Sequence, residues 1–209
     1  MVELYLGVKN KCITMNKMTN HMDCENNHIL FYKELSENLS SNNIYLDELR
    51  RLAWGTDAGF YRLIPTVVIQ SHTEEEVISI LKLCNKYNMP ITFRAAGTSL
   101  SGQAITDSVL LVAGKNWEKY SVSEKAETIT VQCGMVGGRI NEILSKYGRK
   151  LGPDPASINS AMIGGIVMNN ASGMNCGVHE NSYKTIIGAR IIFSDGTLLD
   201  TLNCRLWIT

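Results

Sequence analysis

Apolar residues recur along this chain at helical spacing in some stretches and in alternation in others, and the switches between the two mark out its elements. Residues 1–28 are rich in Asn and Met and show no period, so they are read as a frayed lead. Short helical patterns follow over 29–38 and 45–52, the second placing Leu46, Leu49 and Leu52 three apart on one face. Together they predict a small helical preface. After Gly55 and Pro65 comes the β-branched run 66–69. Thr73 with Glu76 three residues on is a capping-box signature, and Val77, Ile80, Leu81, Cys84 and Tyr87 then repeat at helical spacing up to Pro90. Residues 91–93 read as a second strand, so 66–94 forms a βαβ unit whose crossover makes its two strands parallel.

Further on, 109–112 reads as a strand and 128–132 alternates as a sheet strand does. Val136, Ile140, Ile143, Leu144 and Tyr147 share one face of an amphipathic helix over 136–147, with Gly148 placed to end it at the C′ position. A loop is expected from 152 to about 181. The chain then predicts a hairpin, with strands 190–193 and 198–201 joined by the Asp195–Gly196 turn. There is no internal repeat.

Composition narrows the class. With 209 residues, 44% hydrophobic and 19% charged, the chain is long enough for one full domain or two modest lobes and is ordinary for a globular protein. Twenty basic side chains balance twenty acidic ones, so there is no general attraction for a nucleic-acid backbone or an anionic membrane surface. The longest apolar stretches, such as 109–113, fall far short of the roughly 20 residues that cross a bilayer, and the N-terminal residues do not read as a secretory signal. A cytoplasmic address is the default. Six cysteines are scattered without a Cys-x-x-Cys pair or a His at ligand spacing, so no zinc or iron–sulfur site is expected in this segment and the thiols are read as small buried hydrophobes.

Two stretches carry candidate chemistry. The first is Arg94-Ala-Ala-Gly-Thr-Ser-Leu-Ser-Gly-Gln103, directly after the strand 91–93. Its small side chains let backbone N–H groups approach a ligand, and successive N–H groups in a turn form an anion-binding nest suited to a diphosphate. Thr98, Ser99 and Ser101 add hydroxyl donors, and Arg94 either offers a cation or anchors the loop to the sheet. The Walker pattern fails here because no Lys lies between Arg94 and Gly114, and the Rossmann fingerprint fails because Ala stands at two of its glycine places and the loop runs on towards a strand. The second stretch comprises Gly152-Pro-Asp-Pro155 and Ser160-Ala-Met-Ile-Gly-Gly-Ile-Val-Met-Asn-Asn-Ala-Ser-Gly173. So long a weakly hydrophobic segment inside a folded body usually wraps a ligand, because its backbone polar groups need partners.

These motifs resemble a known family. Residues 94–103 are similar to the pyrophosphate loop of the FAD-binding domain of the vanillyl-alcohol oxidase and p-cresol methylhydroxylase superfamily. Gly152-Pro-Asp-Pro-Ala-Ser-Ile-Asn159, Ile163-Gly-Gly165, Asn169-Asn-Ala-Ser-Gly173 and Ile191-Ile-Phe-Ser-Asp-Gly196 resemble its glycolate oxidase and D-lactate dehydrogenase branch. The likeness covers about 57–201. It implies an α+β fold with FAD between two lobes, a βαβ-containing lobe over 55–120 and a second mixed α+β lobe over 121–209, preceded by the lead and preface of 1–54. It further implies that Ala95, Ala96, Gly97, Thr98, Ser99 and Leu100 grip the pyrophosphate through backbone N–H groups, with Arg94 and Gln103 in the same loop. By the same match Pro153, Asp154, Ser160, Ile163, Gly164, Gly165, Asn170, Ser172 and Gly173 line the flavin, ribityl and phosphate path, and Ile191 meets the cofactor through its backbone. Thr98 stands where some members carry a flavin-attaching His, so the FAD is expected to be held non-covalently. Cys176, the nearest other attachment point, does not match that pattern.

The resemblance also implies parts that this sequence lacks, a substrate-covering domain and, in larger members, a cysteine-rich iron–sulfur segment. The chain therefore reads as a truncated piece of a longer protein or a broken gene product. A general base and a carboxylate-binding Arg are expected from the absent part, so no catalytic residue is assigned. His21 and His28 fall in the lead and His72 is read as a turn residue. His179, with Glu180 and Tyr183, is the one imidazole placed to face a cofactor. Arg139, Arg149 and Lys150 are read as solvated, and Trp54, Phe60, Tyr61 and Trp117 as core.

The leading expectation is an FAD-binding fragment of an oxidoreductase that converts a D-2-hydroxy acid of the D-lactate or glycolate class to the 2-oxo acid. Electrons would pass to an acceptor through a missing C-terminal or partner iron–sulfur domain. Two alternatives stay open, an NADPH-dependent reductase similar to the enolpyruvyl-sugar reductase, and a non-catalytic flavin-binding or electron-transfer subunit. Apolar surface exposed by truncation would favour a homo-oligomer, and peripheral attachment to the inner membrane stays open for the full-length protein.

Overall fold

The apolar run Val67–Ser71 forms a strand, β3, whose Val67, Val68 and Ile69 are wholly buried. In the computed structural model, which describes Val2–Tyr5 and residues 21–202, β3 belongs to a four-stranded sheet. Its order is β2 (Ile44–Tyr45), β3, β5 (Val109–Ala113), β4 (Ile91–Arg94). The two strands of the expected βαβ unit are parallel but not adjacent, because β5 lies between them and is parallel to both. Their crossover is α3 (Glu74–Lys86), which buries Val77, Ile80, Leu81, Leu83 and Cys84. At its start Thr73 Oγ1 accepts from the Glu76 N–H at 3.2 Å, whereas the Glu76 carboxylate accepts from the N–H of His72. The capping box is thus closed one residue early.

The preface differs from its sequence pattern. The first helix, α1 (His21–Asn38), begins well before residue 29 and packs Phe31 and Leu35 against α3. Glu34 links the two helices, accepting from Lys86 Nζ and the Tyr87 hydroxyl, each at 2.6 Å. Residues 44–45 pair with β3 instead of entering a helix, and α2 (Glu48–Ala53) starts only after Asp47, whose side chain caps the Arg50 N–H. The face of Leu46, Leu49 and Leu52 is consequently solvent-exposed, Leu49 by 77%.

The second sheet has the order β6 (Tyr120–Val122), β7 (Ile129–Val131), β1 (Val2–Tyr5), β8 (Ala189–Ile192), β9 (Leu198–Asp200). The expectation of a frayed lead fails for Val2–Tyr5, which runs parallel to β8 from Val2↔Ala189 to Tyr5↔Ile192 and meets β7 at Val2↔Val131. Four residues are too short a run to declare a period, so this strand depends on the ladders on its two sides. The β8–β9 hairpin closes as expected, with Gly196 at φ +83° and Asp195 Oδ1 accepting from the N–H and hydroxyl of Thr197.

Helix α4 (Gly137–Ser145) buries Ile140, Ile143 and Leu144, and Gly148 at φ +67° reverses the chain after it. The expected loop 152–181 is not all loop. Residues Ile163–Met168 form α5, and Ile163, Ile166 and Val167 bury one side of it in the second core. Gly164 and Gly165 hid this turn from a propensity reading. A last short helix, α6 (Ser182–Thr185), leads into β8.

The two sheets share packing. Ile192 and Cys133 from the second half join the core of the first, and the indole of Trp117, 1% exposed, donates to the Ser71 carbonyl at 2.8 Å. Arg190 on β8 forks onto Glu74 at the head of α3, with N–H···O distances of 2.8 to 3.0 Å. Among the described residues no helix is long and apolar enough to cross a membrane.

Candidate cofactor-binding site

The first loop, 94–103, leaves the C-terminal end of β4, and its shape is set from underneath. Arg94 Nη1 donates to the carbonyls of Thr56, Trp54 and Ala104 at 2.6, 3.2 and 3.3 Å, and the guanidinium lies over the Trp54 ring at 5.1 Å. Of the two roles open to Arg94, anchoring is the one observed. Its Nε and the Asp57 Oδ2 are buried without a hydrogen-bond partner. Burial pulls the guanidinium below its ordinary pKa while the Asp57 carboxylate opposes that shift, so Arg94 remains a cation locked under the loop.

Above it Gly97 takes φ +72° and Gly102 φ +69°, turns that glycine makes without strain. The Ala58 N–H is shared between the Gly97 and Ser99 carbonyls at 3.0 and 3.1 Å, which ties both acceptors to residues 56–59. The backbone N–H groups of Ala96, Gly97, Thr98, Ser99 and Leu100 have no acceptor among the described residues. A row of unpaired donors on small residues is what a diphosphate requires. Ser99 Oγ accepts from the N–H of Ser101 and of Gln103 and donates to Gln103 Oε1 at 3.1 Å.

The second segment approaches this loop through α5. A Cβ added to Gly165 would meet only the Ala95 Cβ, at 3.9 Å, and the Gly165 N–H has no acceptor among the described residues. At the other end of α5, Asn169 Nδ2 donates to Gln103 Oε1 at 3.0 Å. The two stretches therefore converge, with Ala95, Gly97, Thr98, Ser99 and Gln103 on one side and Gly165 and Asn169 on the other. The FAD expected from the sequence fits this arrangement, since the unpaired N–H groups and the uncrowded Gly165 offer donors and close backbone approach.

Other expected residues make contacts within the protein. Gly164 is buried, with the Cys133 Cβ and carbonyl only 2.9 and 3.0 Å from where its own Cβ would stand, so its smallness serves packing. Gly173, at φ +81°, leaves no room for a Cβ beside the Asp154 carbonyl, and Asp154 itself holds the segment together through Ser172 and Asn175. Asn170, in the left-handed region at φ +48°, accepts from the Tyr183 N–H, and Ser172 Oγ donates to the Asn170 carbonyl while accepting from Ser182. Pro153 and Ile163 line a cavity of about 200 Å³ with Ile129, Val131, Leu144 and Val167, within the second core. Ser160 is exposed and bonds to Ser157. Ile191 lies inside the second sheet, its ladder partners being Leu4 and Leu199.

Phe60 and Tyr61, expected in the core, are exposed by 92% and 57% and pack ring to ring at 5.5 Å, with Tyr61 beside Gly102. Sequence reasoning missed residues 57–59, whose Asp57 Oδ1 accepts from the Gly59 N–H, and it missed Asn169. The Asp-x-Gly signature of an Asx-turn was legible for the first. Nothing local distinguishes Asn169 from Asn170. His179 is exposed, and among the described residues no hydrogen bond ties its ring to either loop. Cys84, Cys133 and Cys176 are buried, and burial pushes the Cys84 thiol up to about 12. The side chains of Cys12, Cys24 and Cys204 lie outside the described residues.

The chain is 34% identical over 142 residues to the mitochondrial D-lactate dehydrogenase [cytochrome] 1 of Saccharomyces cerevisiae, covering 66% of this chain and 24% of that protein. It is 30% identical over 141 residues to the glycolate oxidase subunit GlcD of Escherichia coli, covering 66% and 28%, and 25% identical over 175 residues to the D-2-hydroxyglutarate dehydrogenase of the same organism, covering 82% and 17%. It thus spans less than a third of the length of each. Among solved structures, p-cresol methylhydroxylase with substrate bound superposes with a TM-score of 0.71 at 15% identity, over 84% of this chain and 35% of that one. An alkyldihydroxyacetonephosphate synthase gives 0.71 at 19% identity, over 96% and 38%. These likenesses establish the α+β fold of that superfamily, and residues 65–202 match the family described as FAD binding domain. The chain belongs to that FAD-binding family, and its cofactor is FAD.

Proposed function

We propose that this chain is the cofactor-holding part of a flavin-dependent oxidoreductase that converts a D-2-hydroxy acid of the D-lactate or glycolate class to the 2-oxo acid. The observation that carries the reading is the row of unpaired N–H groups from Ala96 to Leu100, set beside Gly165 and closed off at Gln103–Asn169. FAD, when bound, supplies two-electron redox chemistry that no side chain offers. The chain's own residues hold and orient it. Ala96, Gly97, Thr98, Ser99 and Leu100 donate backbone N–H groups to the diphosphate, Gly165 admits close approach, and Arg94 keeps the loop in shape from below. The Thr98 hydroxyl is a far weaker nucleophile at neutral pH than the imidazole found at this place in some members, so the cofactor is held non-covalently.

The substrate class is supported by three similar proteins named for D-lactate, D-2-hydroxyglutarate and glycolate, each a 2-hydroxy acid. Oxidation of such an acid needs a proton acceptor and a cation for the carboxylate. Arg94 is committed to three carbonyls and, among the described residues, no hydrogen bond ties the exposed His179 ring to either loop, so in this reading both groups and the iron–sulfur relay are assigned to a further segment or partner. The test is titration of the purified chain with FAD, followed by anaerobic addition of D-lactate, glycolate or D-2-hydroxyglutarate with an artificial acceptor. Stoichiometric FAD uptake with little turnover is expected. Failure to bind FAD would overturn the site, robust turnover by the chain alone would overturn the need for outside groups, and bleaching of the bound flavin by NADPH would favour a reductase.

A further inference from the structure

A cleft that binds a long cofactor needs its two walls held at one distance, and only part of that constraint comes from packing. Ala95 and Gly165 face each other across a gap that one methyl group would fill, since a Cβ added to Gly165 would stand 3.9 Å from that of Ala95, so packing between them does not fix the separation of the walls. Van der Waals contact does little to stop them from parting. Among the described residues, the hydrogen bond directly between the loops is that of the Gln103 and Asn169 side chains. Gln103 Oε1 accepts from Asn169 Nδ2 at 3.0 Å across the cleft and from Ser99 Oγ at 3.1 Å within the loop. Ser99 Oγ accepts in turn from the N–H groups of Ser101 and Gln103, at 3.1 and 3.4 Å. One carbonyl oxygen therefore joins the turn of the first loop to the residue that ends α5.

We propose that Gln103 and Asn169 are positioning residues that set the width of the FAD cleft, acting on the diphosphate through the loop and not by touching it. The inference rests on the placement of the diphosphate in the first loop given above. The arrangement also fixes the Ser99 hydroxyl. With its proton directed at Gln103 and its lone pairs taken by two backbone N–H groups, Ser99 orders the turn and leaves the donation to phosphate to the backbone.

Both side chains are exposed, so their mutual bond contributes little to the stability of the chain without cofactor, and its effect falls on cofactor retention. The experiment is a double-mutant cycle on the full chain, Gln103→Met, Asn169→Ala and the two combined, read as FAD dissociation rate and equilibrium affinity by flavin fluorescence, with the melting temperature of the FAD-free chain as a second readout. Each single substitution is expected to weaken FAD by up to about tenfold, mainly through faster release, and the double variant to be no worse than either. The FAD-free melting temperature stays where it was. Effects that multiply in the double variant would show two independent contacts and overturn the inference, as would unchanged affinity in Gln103→Met. If the unsubstituted chain takes up no FAD, the diphosphate placement itself falls, which is a different result from the other two.

Discussion

The guanidinium of Arg94 fills the space that a side chain on Gly97 would need: a Cβ built there would stand 2.4 Å from Nη2. Gly97 is also at φ +72°, so its identity is required twice, once by the backbone and once by the anchor beneath it. Gly97→Ala is therefore expected to cost about 1–2 kcal/mol from conformation alone, and more because Arg94 must leave its carbonyls. FAD affinity should fall with it. Denaturant unfolding of the FAD-free chain measures the first effect and fluorescence titration the second.

Removing the anchor probes the same unit from below. Arg94→Met leaves the Thr56, Trp54 and Ala104 carbonyls without their donor and removes the cation from the Trp54 ring. A loss on the order of 2–3 kcal/mol is expected, measurable as a lowered urea midpoint. Trp54 fluorescence should shift at the same time. A variant as stable as the parent would mean that water replaces the guanidinium at no cost.

How far this was legible in the sequence depends on the range of the interaction. The βαβ unit, α4 and the closing hairpin follow local rules, and Thr73, Gly148 and Asp195–Gly196 announced them. The glycine and serine loop was visible at 94–103 for the same reason. Strand β1 was not, because four residues carry no period and their place comes from β7 and β8 far along the chain. The exposed leucines of 46–52 misled in the opposite direction, since a helical spacing says nothing about whether a partner surface exists. Within the site, Asn170 and Ser172 have the chemistry of ligand contacts and also accept from the N–H groups of Tyr183 and Ser182, partners that tertiary structure supplies and the sequence does not announce.

The fork between Arg190 and Glu74 joins the two sheets and is only partly exposed, by 33% and 20% of the side chains. Bidentate pairing makes it stronger than an ordinary surface pair, while its residual exposure keeps it sensitive to salt. Glu74→Gln should lower stability by about 1–2 kcal/mol at low ionic strength, with a smaller difference from the parent in molar salt. Thermal melts at two salt concentrations measure both numbers.

Acid stability should depend on Glu34. Hydrogen bonds from Lys86 and Tyr87 hold its carboxyl below the ordinary value of 4.5, and the same pairing raises Lys86 above 10.5. A depressed carboxylate contributes stability that is present above 4.5 and is lost as pH falls through the lower folded value, and a raised ammonium contributes stability that is lost as pH rises past its own folded value. Glu34→Gln should therefore lower the melting temperature most between the two extremes and least at them, which flattens the profile. A profile parallel to the parent's throughout would mean that the contact carries no linkage.

Adjacent glycines at 164 and 165 allow packing and the proposed cofactor contact to be tested separately. At Gly164 a methyl group would press on the Cys133 Cβ and carbonyl at 2.9 and 3.0 Å, and the buried backbone there has nowhere to move. At Gly165 the same methyl meets only Ala95 at 3.9 Å, an ordinary contact. Gly164→Ala should therefore destabilise the FAD-free chain by about 1–3 kcal/mol, as overpacking does. Gly165→Ala should leave it as stable or raise it by about 0.5–1 kcal/mol, because alanine restricts the unfolded chain and favours the helix. Its FAD affinity should nevertheless fall, since the methyl group projects towards the loop proposed to hold the diphosphate. Opposite signs in melting temperature with a shared loss of FAD place the cofactor against Gly165, whereas full FAD affinity in a stable Gly165→Ala chain would move it elsewhere.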